Sequence, residues 1–253
     1  MQNKTYILTI AGFDPSSGAG LTSDIKTFEA HNLYGLSVCT AVTVQNDVAL
    51  KDCIWMGEKV ILNQVTTLFE RFKIEVVKIG IVQSWTVLAS IISVLKACNS
   101  EIKIVLDPVL HASSGYDFHS GCNTENLLDI LETCYFITPN YNEIKAFYPG
   151  KSVNETIENI RTKTNIYFKG GHRSEQLGLD EIFYNQTEYL ALQADSNKIT
   201  EKHGSGCVLS ASLASNLAKG LQIEDACRTA KQYTKQFLMS NTTALGTHNY
   251  QNV

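Results

Sequence analysis

Tyr6-Ile7-Leu8-Thr9-Ile10 runs directly into Ala11-Gly12-Phe13-Asp14-Pro15-Ser16-Ser17-Gly18-Ala19-Gly20, and a helix follows over residues 21–31 with Ile25, Phe28 and Leu33 as its apolar markers. A short β-rich strand, a loop dense in turn formers and a helix make up the unit by which an α/β sheet presents ligands at the carboxyl ends of its strands. The loop is not a dinucleotide fingerprint, because Gly18-Ala19-Gly20 is followed by Leu21-Thr22-Ser23 with no third glycine. No G-x-x-x-x-G-K-[ST] occurs either, so any phosphate handling comes from another arrangement.

The same alternation continues outward. A strand over 36–44, apolar on both faces, ends at Gln45-Asn46-Asp47; helical spacing covers 57–72 and 84–97, separated by a strand over 75–79 that stops at Gly80. Residues 102–106 form a strand closed by Asp107-Pro108-Val109, and residues 135–137 one closed by Thr138-Pro139-Asn140, with Glu143 opening the next helix. Asn165–Phe168 leads into Lys169-Gly170-Gly171-His172. Residues 181–184 and 188–191 flank Asn185-Gln186-Thr187 as a hairpin, and an amphipathic helix is expected over 223–239. This predicts a mostly parallel sheet with an antiparallel edge, in one α/β domain spanning 1–253, since no composition shift marks a seam.

Chemistry collects at the strand ends. In His203-Gly204-Ser205-Gly206-Cys207 two glycines bracket a serine before an alanine-rich helix that stops at Lys219-Gly220. The first-turn N–H groups and the positive end of the helix dipole then face an anion, most naturally a phosphate, or the segment is simply a turn. Cys207 sits at the rim of this anion hole, where a helix N-terminus lowers a thiol's pKa and suits it to accept a proton; the alternative is a small packed cysteine. Gln45 either pairs with the edge of an aminated heteroaromatic ring or satisfies a loop backbone. Asp107 either organises a metal and its waters or caps the next turn; with Glu143 and with Asn140 alongside, it could hold Mg²⁺ through its water shell. Lys169, beside two glycines, is placed to meet a polyphosphate.

Composition excludes several classes. The chain of 253 residues is 44% hydrophobic and 18% charged, so a core is available and nothing indicates disorder. A net charge of −4 and a pI near 5.9, without a basic block, argue against nucleic-acid or membrane-surface partners. No secretory signal and no apolar run of about 18–20 residues is visible, which leads us to expect a soluble, cytoplasmic protein. The 7 cysteines are scattered without a C-x-x-C pair, as reduced thiols are.

These segments, in this order, resemble the hydroxymethylpyrimidine/phosphomethylpyrimidine kinases of thiamin biosynthesis. The resemblance rests on Ala11-Gly12-x-Asp14-Pro15-Ser16-x-Gly18-Ala19-Gly20 with Asp24 and Lys26-Thr27-Phe28, then Thr43-Val44-Gln45-Asn46 and Asp107-Pro108-Val109. Ile137-Thr138-Pro139-Asn140-x-x-Glu143, Lys169-Gly170-Gly171-His172 and His203-Gly204-Ser205-Gly206-Cys207-x-Leu209-Ser210 complete it, over residues 6–240. It implies a ribokinase-like three-layer α/β/α fold with the active site along the carboxyl ends of the strands. It also implies transfer of the γ-phosphate of ATP to 4-amino-5-hydroxymethyl-2-methylpyrimidine, then to the monophosphate, with Mg²⁺ as cofactor, in a homodimer. Carried over, Gly12, Asp24 and Gln45 would line the pyrimidine pocket, with Gln45 reading the ring's amino and nitrogen edge. Asp107, Asn140 and Glu143 would organise Mg²⁺ and phosphates, Lys169 would meet the nucleotide phosphates, and Gly204, Ser205 and Gly206 would form the anion hole. Cys207 would be the base where the superfamily's sugar kinases carry aspartate; a loose phosphoryl-transfer transition state asks little base strength of it.

The chain departs from the family's pattern at three places. Ile81 stands where many members have methionine, and Ser205 replaces the more usual threonine but keeps the hydroxyl. After Val109 the expected lysine is missing, leaving His111 or solvent to supply a cation for the second phosphate. A pyridoxal kinase on the same fold is the nearest rival reading. A non-catalytic pyrimidine-binding module is the rival from another class, although it would have no use for a metal site and a base together.

Overall fold

The computed structural model describes residues 5–110, 118, 127–171, 177–193 and 200–248. Among these, the chain alternates strand and helix from β1 (Tyr6–Phe13), α1 (Gly20–Ala30) and β2 (Tyr34–Gln45) to β3 (Leu50–Trp55), α2 (Glu58–Phe69), β4 (Ile74–Ile79) and α3 (Trp85–Cys98). It continues through β5 (Lys103–Leu106), α4 (Leu127–Thr133), β6 (Phe136–Ile137), α5 (Tyr141–Phe147), α6 (Val153–Arg161) and β7 (Asn165–Phe168). The hairpin β8 (Asp180–Tyr184) and β9 (Glu188–Leu192) precedes the closing helices α7 (Ser205–Ala218) and α8 (Ile223–Leu238).

Among the described residues, nine strands form one sheet in the order β3-β2-β1-β4-β5-β6-β7-β8-β9. The six strands from β2 to β7 are parallel, and because helices cover both faces their sequences read as near-continuous apolar runs. The antiparallel hairpin β8–β9 lies where residues 181–184 and 188–191 predict it. A second antiparallel edge, β3 on β2, is not predicted: only Cys53 of β3 is buried, so the segment has no apolar face to signal a strand. Its turn is held by Asn46, whose Oδ1 accepts from the N–H groups of Val48 and Ala49.

The core lies in two layers. Leu8, Ile10, Val77, Ile104 and Ile137 meet α2 and α3 on one face, while Ile7, Val76, Val105 and Tyr167 meet α7 and α8 on the other. Helix α7 is buried nearly throughout, which explains why Ala and Ser fill it: small side chains let it pack between α1, α8 and the sheet. The parallel order brings the ends of β1, β2, β4, β5, β6 and β7 to one edge, beside the start of α7.

Candidate active site

The loop after β1 is organised on a buried carboxylate. Asp14 Oδ1 accepts from Ser16 N at 2.8 Å, and Oδ2 accepts from Ser16 Oγ at 2.8 Å and Ala19 N at 2.9 Å. His203 Nε2 lies 2.9 Å from the same Oδ2, across 189 residues of chain. Burial would raise the Asp14 pKa, but the hydrogen bonds from His203, Ser16 and Ala19 outweigh it and hold the carboxyl below its ordinary value. Sequence reasoning assigned neither residue a role, because the contact joins opposite ends of the chain.

The turn before α7 requires its first glycine. Gly204 has φ +76°, and a Cβ there would lie 1.9 Å from the Gly18 carbonyl oxygen, so this turn and the β1 loop touch backbone to backbone. No side chain caps α7. A Cβ on Gly206 would sit 3.5 Å from Lys169 Nζ and 4.0 Å from Asp107 Oδ2, so the first turn of α7 faces the cation and carboxylate expected to handle phosphate. Cys207 is the third residue of the helix. Contrary to the sequence expectation, its thiol is pushed above the ordinary value: burial outweighs the opposing pull of Lys78 and of the Gly20 N–H.

Lys169 Nζ donates to Asp107 Oδ1 at 2.8 Å and lies 4.0 Å from Glu143 Oε2. Asp107 is further held by Thr138 Oγ1 at 3.2 Å and by Ser210 Oγ at 3.1 Å. Asn140 caps α5: its Oδ1 accepts from Glu143 N at 3.0 Å, and Glu143 Oε2 accepts from Asn140 N at 2.7 Å. Burial pushes the Glu143 carboxyl up to about 7, against the attraction of Lys169. Among the described residues no group of three His, Cys, Asp or Glu side chains is placed to hold a metal. The carboxylates of Asp107 and Glu143 would fit a cation that keeps much of its water and is shared with phosphate oxygens, as Mg²⁺ is.

These groups line one cavity of about 870 Å³. Gly12, Thr43, Gln45, Ile81, Val109 and Phe118 surround one end; Asp107, Lys169 and residues 204–207 lie in the middle. The other end is framed by β8, β9 and α8, where Asp180 accepts from Gly170 N, Tyr167 OH and Lys231 Nζ at 2.8, 2.9 and 3.0 Å. Asp24 does not line the cavity. It is fully buried beneath it, accepting from Thr9 Oγ1 at 2.6 Å and from Lys78 Nζ at 2.8 and 3.0 Å, because a carboxylate facing into the sheet is retained only with such a partner. Burial alone would lower the Lys78 pKa; the Asp24 carboxylate raises it instead. Lys78, in an apolar strand, gave no sequence signal, yet it borders the cavity floor. His111 and His172 lie outside the described residues.

Residues 14–252 match the phosphomethylpyrimidine kinase family. The chain belongs to that family. A hydroxymethylpyrimidine/phosphomethylpyrimidine kinase of Aquifex aeolicus is 30% identical, over 94% of this chain and 96% of the relative. The chain spans about half the length of bifunctional thiamine biosynthesis relatives, 51% of one from Methanocaldococcus jannaschii and 44% of one from Oryza sativa. Among solved structures, the phosphomethylpyrimidine kinase of Clostridium difficile is 32% identical with a TM-score of 0.78, covering 92% of this chain and 99% of its own. A pyridoxal kinase of Staphylococcus aureus, solved with ADP, shares the fold at TM-score 0.83 and 24% identity, with 96% and 92% coverage. The ribokinase-like architecture expected from the sequence is thus present.

Proposed function

We propose that the cavity binds 4-amino-5-hydroxymethyl-2-methylpyrimidine against Gly12 and Gln45 and transfers the γ-phosphate of ATP to its hydroxymethyl group, then phosphorylates the monophosphate to the pyrophosphate. The observation that carries this reading is Cys207 at the first turn of an uncapped helix whose glycine approach faces Lys169 and Asp107. Gln45 offers a carboxamide to the aminopyrimidine edge, accepting from the amino group and donating to the ring nitrogen. The backbone of Gly204, Ser205 and Gly206 surrounds the transferring phosphoryl group, where preorganised N–H donors stabilise the charge that develops. Lys169 neutralises the nucleotide phosphates, and Cys207, in its thiolate form, takes the alcohol proton late, when the attacking oxygen has become acidic. Asp107 and Glu143, with Asn140 alongside, would hold Mg²⁺, which when bound neutralises phosphate charge.

In this reading residues 1–253 act as one kinase domain in the cytoplasm, as a homodimer, with no nucleic-acid or membrane partner; among the described residues no helix is long and apolar enough to cross a membrane. Helix α2 turns Ile61 and Val65 into the core, whereas the β2–β3 ribbon exposes Val42, Val44 and Ile54, so the ribbon is the proposed dimer face. The test is a coupled ATPase assay with Mg²⁺, offering the hydroxymethylpyrimidine, its monophosphate and pyridoxal in parallel, with products identified by mass. Diphosphate from the first two is expected. Turnover of pyridoxal alone would replace this reading with a pyridoxal kinase, and no turnover at all with a binding module.

A further inference from the structure

The β1 loop and the turn before α7 form the two lips of the site, and one contact between side chains joins them. Asp14 is only 1% exposed, and as an ionised carboxylate it is an acceptor alone, so His203 donates from Nε2. The imidazole also packs over Gly18, where a Cβ would lie 2.5 Å from His203 Cδ2. On its other side His203 is anchored: its N–H donates to Ala244 O at 2.9 Å, and the neighbouring Lys202 Nζ donates to Asn241 Oδ1 at 2.8 Å and to the Thr243 carbonyl. Whatever Asp14 holds is therefore referenced to the segment that leads into α7. What it holds is Ala19, and the next residue, Gly20, lines the same cavity as Cys207. Gly20 is itself pinned, with φ +58° and no room for a Cβ, which would lie 2.2 Å from the Gly12 carbonyl oxygen.

We propose that Asp14 and His203 are a positioning pair for phosphoryl transfer: the contact between them seats the β1 loop against the turn that opens α7 and carries Cys207 into the cavity. The inference rests on the reading of Cys207 as the proton acceptor. In the proposed reading the nucleotide phosphates meet Lys169 and the α7 turn, so losing the Asp14–His203 contact bears on turnover more than on nucleotide binding. The pair acts by keeping the α7 turn and Cys207 in register with the acceptor alcohol, so its loss bears on the transfer step.

The test uses the full chain with ATP, Mg²⁺ and the hydroxymethylpyrimidine, at a temperature well below each variant's unfolding midpoint. His203→Leu is expected to lower kcat about 10-fold, the scale of one lost charge-assisted hydrogen bond, with the KM for ATP within about twofold of the parent. His203→Gln, whose amide donor reaches the same carboxylate, is expected to recover most of that loss. The double variant Asp14→Asn/His203→Leu should turn over no more slowly than Asp14→Asn alone, because the two residues act through one contact. A purely structural pair would lower the unfolding midpoint and leave kcat of the folded protein intact, and that result overturns the proposal. So does a kcat loss that glutamine leaves unrepaired, or independent, multiplying losses in the double variant. If His203→Leu fails to fold, His203→Asn, too short to span the contact, replaces it in each comparison. Failure of the underlying reading looks different: the parent would not phosphorylate the pyrimidine, or Cys207→Ala would keep full turnover, whatever the His203 variants do.

Discussion

Cys207 stands at the junction of two opposing effects. Its position at a helix N-terminus favours the thiolate, but burial beside the carboxylates of Asp24 and Asp107 disfavours it, and burial prevails. The free enzyme therefore carries mostly neutral thiol at pH 7, and the thiolate able to accept the alcohol proton is a minor form. Cys207→Ala should lower kcat by about 10²-fold or more, the usual scale for a lost general base, while nucleotide binding measured by calorimetry stays near the parent value. Because burial pushes the thiol up, its thiolate fraction is still growing through the alkaline range, so parental kcat should climb as pH is raised and the alanine variant should lose that climb. Unchanged turnover in the alanine variant would return Cys207 to a packing role. Gln45→Ala should raise the KM for the pyrimidine or shift selectivity toward pyridoxal, since the carboxamide contributes through both its donor and its acceptor; an unaltered KM and an unaltered substrate ratio would remove that role.

At the scale of elements, the site depends on where α7 begins. Its alanine- and serine-rich sequence lets it pass through the core, and Gly204 lets the chain enter it against the Gly18 carbonyl. Gly204→Ala meets two penalties: a positive φ, worth about 1–3 kcal/mol, and a Cβ driven into backbone that has no rotamer with which to yield. Urea unfolding should show at least that loss, with kcat falling further than the KM for ATP because the anion turn is displaced from Lys169. A normal midpoint with normal turnover would mean that the turn tolerates a side chain and is not the constraint we describe. Elements on the periphery are held by local chemistry instead. Helix α6 starts on a capping box between Ser152 and Glu155, a signal that the S-x-x-E spacing carries in the sequence.

At the scale of the whole molecule, two buried histidines make the fold sensitive to acid. His31 accepts or donates at Ser212 Oγ across 2.9 Å, and His248 faces Tyr233 OH at 2.9 Å; burial holds the pKa of each down to about 4. The unfolded chain binds protons at these rings from about pH 6.5 downward, whereas the folded chain does so only near 4, so stability is full above 6.5 and falls as pH drops between the two. Each ring contributes on the order of 3 kcal/mol by the low end of that window. Glu143, raised to about 7, works in the opposite direction and offsets part of the loss. The urea midpoint should fall from pH 6.5 to 4.5, and less steeply in a His31→Gln/His248→Gln protein; a midpoint flat across that range would contradict the burial of these rings. The candidate site residues were legible because their chemistry is local: Gly204-Ser205-Gly206-Cys207 reads as a glycine-rich entry to a helix, and Asp107, Asn140 and Lys169 each follow a strand whose apolar run is unmistakable. The parallel sheet and the β8–β9 edge were legible for the same reason, since periodicity and turn residues are short-range properties. The β3 edge, the Asp24–Lys78 pair beneath the floor and the Asp14–His203 contact depend on which distant segments the sheet order brings together. So does the direction of the Cys207 pKa, because a charge's environment is summed over everything packed around it, and only the tertiary structure determines that sum.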